Sequence, residues 1–188
     1  ENAFDKVNTK EEVDSFFKTT FPDFYEMMPN VADAWEDHPL SSLAIMRSFP
    51  WHDGKIALMG DAAHATVPFY GQGMNAGFED CFVMWELYNK YGNWKETFQE
   101  FQKIRKPDGD ALQDLSLDNY YVMRDHVADK KFLLQKKIES KLHENYPDKW
   151  IPLYSQVSFS TIRYSEAYKN GEKQEKIMKE IMKISNIE

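Results

Sequence analysis

Cysteine, basic charge and long apolar runs are all scarce in this sequence of 188 residues. A single cysteine, Cys81, excludes an intramolecular disulfide and fits a reducing compartment. No apolar run approaches the roughly 20 residues that span a bilayer, and no signal peptide opens the chain. The net charge of -8 argues against a nucleic-acid partner, because no basic stripe is present to match phosphates. We therefore expect a cytoplasmic protein without a membrane anchor.

Metal-ligand spacing is also missing. The five histidines show no HExxH or paired His/Cys pattern, so we predict no metal site. His64 is interpreted as a residue that orders a loop. Glu79 and Asp80 are adjacent and would point about 100° apart on a helix, so they do not form a catalytic carboxylate pair. We assign no residue a catalytic role.

The residues that are present suffice for one core, since 42% are hydrophobic and 15% aromatic. Thr9 with Glu12 has the spacing of a capping box and predicts a helix, and the stretch 33–39 is interpreted as a loop. The alternation from Leu43 to Phe49 predicts a half-buried strand. The apolar run 55–59 predicts a second strand, buried on both faces.

Beyond residue 73 the sequence predicts helices almost throughout. One apolar face of the first helix carries Met74, Phe78, Cys81, Trp85 and Tyr88, with Cys81 as a packed hydrophobe. Gly92 is predicted to end this helix. A second helix is capped by Asn93 and stops before Pro107, and a third helix follows it. A fourth helix covers about 130–145, and a charged helix begins near residue 160. The predicted fold is α+β and mostly helical, with two or so strands followed by a helical carboxyl-terminal region.

The stretch from Gly60 to Gly77 is the part of the chain most suited to a ligand. A predicted strand ends in Gly60-Asp61, which puts a carboxylate where ligands sit in open α/β sheets. The three glycines at 71, 73 and 77 would let a flat ligand approach the backbone. The helix that begins near Met74 would direct free N–H groups at that ligand and favour negative charge on it. The spacing of the glycines is not G-x-G-x-x-G, so on its own it leaves open a plain strand–loop–helix connection.

The full motif resembles a known family. Gly60-Asp61-Ala62-Ala63-His64 followed by Pro68-x-x-Gly71-x-Gly73-x-Asn75 is similar to the second flavin-binding motif of the flavin-dependent aromatic hydroxylases, the para-hydroxybenzoate hydroxylase superfamily. Other segments resemble the branch of that superfamily that hydroxylates kynurenine. They are the run 67–81 and the short segments Asp114-Leu115-Ser116, Asn119-Tyr120, Met123-Arg124, Ile151-Pro152-Leu153-Tyr154 and Ile162-Arg163-Tyr164. The resemblance covers roughly residues 40–168.

This resemblance implies the carboxyl-terminal part of a Rossmann-like FAD-binding aromatic hydroxylase. Residues 1–50 would end the substrate/sheet domain, 51–92 would complete the FAD-binding domain, and 93–188 would form a carboxyl-terminal helical region. The family's amino-terminal half, with its GxGxxG motif, is absent from the sequence. We therefore expect that half as a partner, and little FAD binding by this chain alone. The charged carboxyl terminus also lacks the membrane anchor of animal relatives.

The resemblance also implies the chemistry and the site. FAD would be the cofactor, with NADPH and O2 as co-substrates in converting L-kynurenine to 3-hydroxykynurenine. The residues implied to bind the cofactor are Asp61, Pro68, Gly71, Gly73, Met74 and Asn75, and those implied to bind the substrate are Phe69, Tyr70, Asn119, Met123 and Tyr154. From its position alone, Asn119 is an amide in an apolar helical stripe, which fits a helix–helix hydrogen bond equally well. Two other functions stay open, a flavin hydroxylase of another aromatic acid and a stand-alone helical binding module.

Overall fold

The computed structural model describes residues 6–38 and 41–184. These residues group into two units, one ending at Leu43 and the other beginning at Ala44. Pro39, which the sequence predicts to be in a loop, lies outside the described residues. No helix in the described part of the chain is both long and apolar enough to cross a membrane.

The first unit contains three helices, α1 (Lys10–Thr20), α2 (Pro22–Met27) and α3 (Val31–Glu36). The capping box at α1 is confirmed, because Thr9 accepts from the Glu12 N–H and the Glu12 carboxylate accepts from the Thr9 N–H. The loop predicted from residue 33 is wrong over 33–36, which form most of α3. Val31, at the start of this helix, is buried, and that burial stabilises a turn for which the acidic sequence carries no local signal.

The second unit begins with a small antiparallel hairpin of β1 (His52–Asp53) and β2 (Ile56–Ala57). The strand predicted over 43–49 is not formed. The Met46 N–H donates to the Ala65 carbonyl and its own carbonyl accepts from the Gln113 side chain, so these groups have no strand partner. The expectation of a strand buried on both faces is also wrong, because β2 pairs on one side only and Ile56 is 70% exposed.

Helices make up most of the remainder, so the predicted mostly helical α+β character is confirmed. After α4 (Asp61–His64), α5 (Gly73–Tyr91) ends at Gly92 in the left-handed region, with φ 66°. Asn93 then caps α6 (Trp94–Asp125) by accepting from the Glu96 N–H, as predicted. The chain continues with α7 (Lys130–Asn145), α8 (Leu153–Ser158) and α9 (Tyr164–Ile181).

The predicted break before Pro107 is wrong, since α6 continues through this residue for 32 residues in all. Proline removes one backbone hydrogen bond from a helix interior. The helix nevertheless continues, because Phe101 and Leu112 on either side of the proline are buried. Tertiary packing therefore outweighs the local signal, and α6 contributes to both hydrophobic clusters of the second unit.

The apolar face of α5 is where the structure differs most from expectation. Five of its residues are exposed, and we call them the exposed α5 face: Met74, Phe78, Cys81, Phe82 and Trp85. The buried face carries Ala76, Asp80, Met84 and Leu87 instead. The prediction of Cys81 as a packed residue is therefore wrong in this chain. Small residues on the inner face explain this orientation, because the Gly77 Cα lies only 4.0 Å from the position of a Cβ on Gly60.

Candidate functional site

The Gly60-Asp61 turn is shaped by backbone that only glycine adopts readily. Gly60 has φ 57° and precedes α4, and its carbonyl accepts from the N–H groups of Ala63 and His64. Its own N–H donates to an Asp80 carboxylate oxygen at 2.9 Å. The turn is thus held from both sides, and the exposed Asp61 side chain follows directly from it.

Asp61 lies beside the first residue of α5. Its Oδ1 is 3.9 Å from the position that a Cβ would take on Gly73. Among the residues that the structure describes, no side chain caps this end of α5, whose N-cap residue is Gln72. A carboxylate and an uncapped helix end therefore meet at one edge of the loop, where the first can accept from hydroxyl groups and the second favours negative charge.

The loop before α5 carries the other predicted cofactor residues. Gly71 has φ 66°, a backbone conformation that favours glycine, and no heavy atom of the described residues lies within 4 Å of the position that a Cβ would take. Pro68, Met74 and Asn75 are all exposed, and the Asn75 amide donates to Gln72 Oε1 at 2.8 Å. The six predicted residues therefore lie along one stretch of surface around the start of α5.

Asn119 connects α6 to this loop. Its Nδ2 donates to the Phe69 carbonyl at 2.8 Å and lies 3.7 Å from Met123 Sδ, one turn further along. The amide nitrogen thus bonds to the flavin-motif loop rather than to another helix. Its amide oxygen makes no hydrogen bond with a residue that the structure describes. The structure thus brings Asn119, Met123 and Phe69 together.

The two predicted tyrosines stack on each other. The rings of Tyr70 and Tyr154 are 5.5 Å apart and nearly parallel, and Tyr154 also touches Phe159 edge-on at 6.0 Å. Burial, with the nearby Tyr154 and Asp118, raises the pKa of Tyr70 to about 12. Tyr70 is therefore a neutral hydrogen-bond donor at ordinary pH.

A buried polar network lies behind the loop, and of its members only His64 is interpreted from the sequence, as a residue that orders a loop. Asp80, fully buried, accepts from His64, Gly60 and Arg105, while Arg105 also reaches Asp108. Burial raises the pKa of Asp80, but the hydrogen bonds from His64, Arg105 and the Gly60 N–H outweigh it and leave the pKa below its usual value. For the two members on α6, the sequence did carry a signal of burial. Arg105 and Asp108 are opposite charges, three residues apart, in an otherwise apolar stripe of that helix.

The chain is similar to known proteins over the region that contains this site. A family model described as an FAD binding domain matches residues 38–114. Proteins named kynurenine 3-monooxygenase match the whole chain with 50% identity in Flavobacterium psychrophilum and in Flavobacterium johnsoniae. The protein of that name in Dictyostelium discoideum is 41% identical over 96% of the chain. The similarity thus extends beyond the predicted 40–168.

The chain spans only 42% of the length of the Flavobacterium psychrophilum and Dictyostelium discoideum proteins and 43% of the Flavobacterium johnsoniae protein. It carries sequence of the FAD-binding domain, which includes the Gly60-Asp61 turn and the loop that ends at α5. The chain therefore carries sequence of an FAD-binding domain and is similar, along its whole length, to part of the proteins named kynurenine 3-monooxygenase.

Proposed function

We propose that this chain is the carboxyl-terminal part of an FAD- and NADPH-dependent monooxygenase that converts L-kynurenine to 3-hydroxykynurenine. The observation that carries the proposal is the hydrogen bond from Asn119 to the Phe69 carbonyl. It ties a residue suited to hold the amino-acid end of a substrate to the loop of the flavin motif. Substrate and cofactor would therefore meet at one loop, as ring hydroxylation requires.

The residues at the start of α5 fit a flavin. Asp61 offers an exposed carboxylate for hydroxyl groups of the ribityl chain, and the uncapped N–H groups of α5 favour negative charge on the ring system. Gly71 carries no side chain that would block a flat ring. Pro68, Gly73, Met74 and Asn75 complete this surface. When bound, FAD supplies the hydride and oxygen chemistry, with NADPH and O2 as co-substrates.

The remaining site residues would hold and enclose the substrate. The amide oxygen of Asn119 can accept from an ammonium group, and the Tyr154 hydroxyl can bond the same end of kynurenine. Phe69, Tyr70 and Met123 would line the space around the aromatic ring and exclude water from it. The amine on the ring of kynurenine already activates it, so no residue of this chain need act as a strong base.

The rest of the enzyme is the partner that this chain requires. A Rossmann-like FAD-binding domain would include residues 51–92, between a substrate/sheet domain that ends at residue 50 and a helical region from 93 to 188. The exposed α5 face fits this arrangement, because Met74 is 71%, Phe78 and Phe82 are 66%, and Trp85 is 60% exposed. An apolar patch of this kind marks an interface, here with the portion that binds the ADP end of FAD. We expect the complete enzyme to be cytoplasmic.

The substrate assignment is tested in the complete enzyme with Asn119→Ala and Tyr154→Phe. Each should raise the kynurenine KM by about tenfold, the value of one lost hydrogen bond, and leave flavin content unchanged. Both should also release more hydrogen peroxide per NADPH consumed, because a misplaced ring does not accept the oxygen in time.

Asn89→Ala and Tyr146→Phe are matched controls, since both residues are exposed and lie outside the site. If both site variants keep the wild-type KM and the wild-type peroxide yield and lose only thermal stability, Asn119 is a packing amide and does not bind substrate. If the complete enzyme hydroxylates another aromatic acid and not kynurenine, the substrate assignment is wrong, whereas the proposed flavin chemistry still holds.

A further inference from the structure

We propose that Asp80, together with His64 and Arg105, is a positioning site for the Gly60-Asp61 turn and, through it, for the flavin. This inference rests on the FAD-binding function proposed above and adds residues that lie behind the cofactor surface. Of the three, only His64 belongs to the quoted motif, where the sequence predicts that it orders a loop, and the sequence assigns Asp80 and Arg105 no role. They act on the cofactor only through the turn, so they are positioning residues.

Asp80 holds both ends of the segment 60–64 with one carboxylate oxygen. Its Oδ2 accepts from the Gly60 N–H at 2.9 Å and lies 2.6 Å from His64 Nε2. The other oxygen accepts from Arg105 Nε at 2.8 Å. Because the Gly60 N–H immediately precedes Asp61 in the chain, its direction fixes the direction in which the Asp61 carboxylate leaves the turn.

His64 is a rigid partner in this contact. It is 2% exposed, and its ring lies 5.3 Å from that of Trp51. Gly109 of α6 leaves room for it, because a Cβ at that position would be 3.1 Å from His64 Cβ. The imidazole therefore has no room to turn away from Asp80, and α4, a single turn, is anchored at its carboxyl end.

Arg105 extends the network away from the flavin motif. Its guanidinium reaches the Ala76 carbonyl and the carboxylates of Glu79 and Asp108. Asp108 in turn accepts from Arg163 at 2.9 and 3.0 Å and from the Ser165 N–H and hydroxyl at the start of α9. The turn that presents Asp61 is thus connected through buried charges to α6 and α9.

The burial of these charges makes the arrangement sensitive to small changes. Asp80 and Asp108 have no exposed surface and Arg105 is 5% exposed. Removing the charge of Asp80 takes a buried partner from Arg105, which costs more than the loss of a surface ion pair would. Glu79 is the informative contrast, because it pairs with the same Arg105 but is 51% exposed and does not touch the turn.

The experiment compares Asp80→Asn with Glu79→Gln in the complete FAD enzyme, at a temperature where all variants are folded. We expect Asp80→Asn to weaken FAD binding about ten- to a hundredfold and to change the visible spectrum of the bound flavin. Glu79→Gln should bind FAD within about twofold of wild type. A folded Asp80→Asn enzyme with the wild-type Kd and flavin spectrum would overturn the proposal, as would an equal loss in Glu79→Gln.

A second pair decides the matter if Asp80→Asn does not fold. His64→Gln keeps an N–H donor for Asp80 and His64→Ala does not, so the glutamine variant should retain more FAD affinity than the alanine variant. Equal affinity in the two would overturn the positioning site. Wild-type enzyme that binds no FAD would overturn the proposed function itself, whereas normal wild-type binding with unaffected variants would overturn only the positioning site.

Discussion

Gly109 offers a sharp test of how tightly the flavin-motif turn is packed against α6. An alanine Cβ at this position would lie 3.0 Å from Trp51 Cη2, 3.1 Å from His64 Cβ and 3.2 Å from His64 Cδ2. All three distances are shorter than ordinary carbon–carbon contact at about 3.5–4.0 Å. Trp51 is 1% and His64 2% exposed, so neither ring can move into solvent. We therefore expect Gly109→Ala to strain the packing around the turn.

The magnitude follows from two opposing contributions. Alanine in a helix interior is favoured over glycine by about 1 kcal/mol. Overpacking a closed core costs about 1–3 kcal/mol, and three close contacts with two immobile rings put this site in the upper half of that range. The net result is a loss of about 1–2 kcal/mol in the free energy of unfolding. If only helix propensity mattered, Gly109→Ala would raise the free energy of unfolding instead of lowering it. The sign of the measured change therefore tests the packing argument directly.

The assay is a double-mutant cycle, measured by chemical denaturation of the complete protein. Phenylalanine at position 51 lacks the outer indole ring, so Gly109→Ala should cost less in a Trp51→Phe background than in wild type. A Gly109→Ala protein that is more stable than wild type would refute the reasoning about packing. An identical cost in both backgrounds would show that Trp51 is not the obstructing group.

Two further predictions concern the cofactor surface and the exposed α5 face. In the complete enzyme, Asp61→Ala should weaken FAD binding by about 1.5–3 kcal/mol, or ten- to a hundredfold, because it removes a charged hydrogen-bond acceptor. Asp53→Ala, on the nearby hairpin, is the control, and unchanged flavin affinity in folded Asp61→Ala would exclude the role. Phe78→Ser and Phe82→Ser should each lower the free energy of unfolding by about 1.5–3 kcal/mol, as expected for side chains buried against the rest of the enzyme. Phe159→Ser is the control, at a phenylalanine that is 79% exposed and lies outside α5. Changes below about 0.5 kcal/mol in the α5 variants would mean that their face is not an interface.

Features that depend on a few neighbouring residues were predictable from the sequence. The capping box at Thr9, the Asn93 cap and the Gly92 end of α5 each rest on hydrogen bonds or dihedral angles within one helical turn. The flavin motif belongs to the same class, because its residues are contiguous in sequence. The pairing of Asn119 with the loop carbonyl of Phe69 was not predicted, since fifty residues separate the two.

Features decided by distant partners were not predictable. A strand over 43–49 needs a neighbouring strand, whereas the Met46 backbone instead bonds to Ala65 and Gln113. Which face of α5 is buried depends on the small residues that let it approach Gly60. That Asp80 is the partner of Arg105, twenty-five residues further along the chain, follows only from the fold that buries the two side chains against each other.

The continuity of α6 through Pro107 has consequences for the site as well as for the fold. Arg105 and Gly109 lie on this helix behind the Gly60-Asp61 turn, and Asn119 lies further along it at the Phe69 carbonyl. At a rise of about 1.5 Å per residue, roughly 20 Å of unbroken helix separates Arg105 from Asn119. A helix that broke at the proline would free these two contacts to move independently. Because it does not break, the element that supports the proposed flavin turn also fixes the position of the residue proposed to hold the substrate.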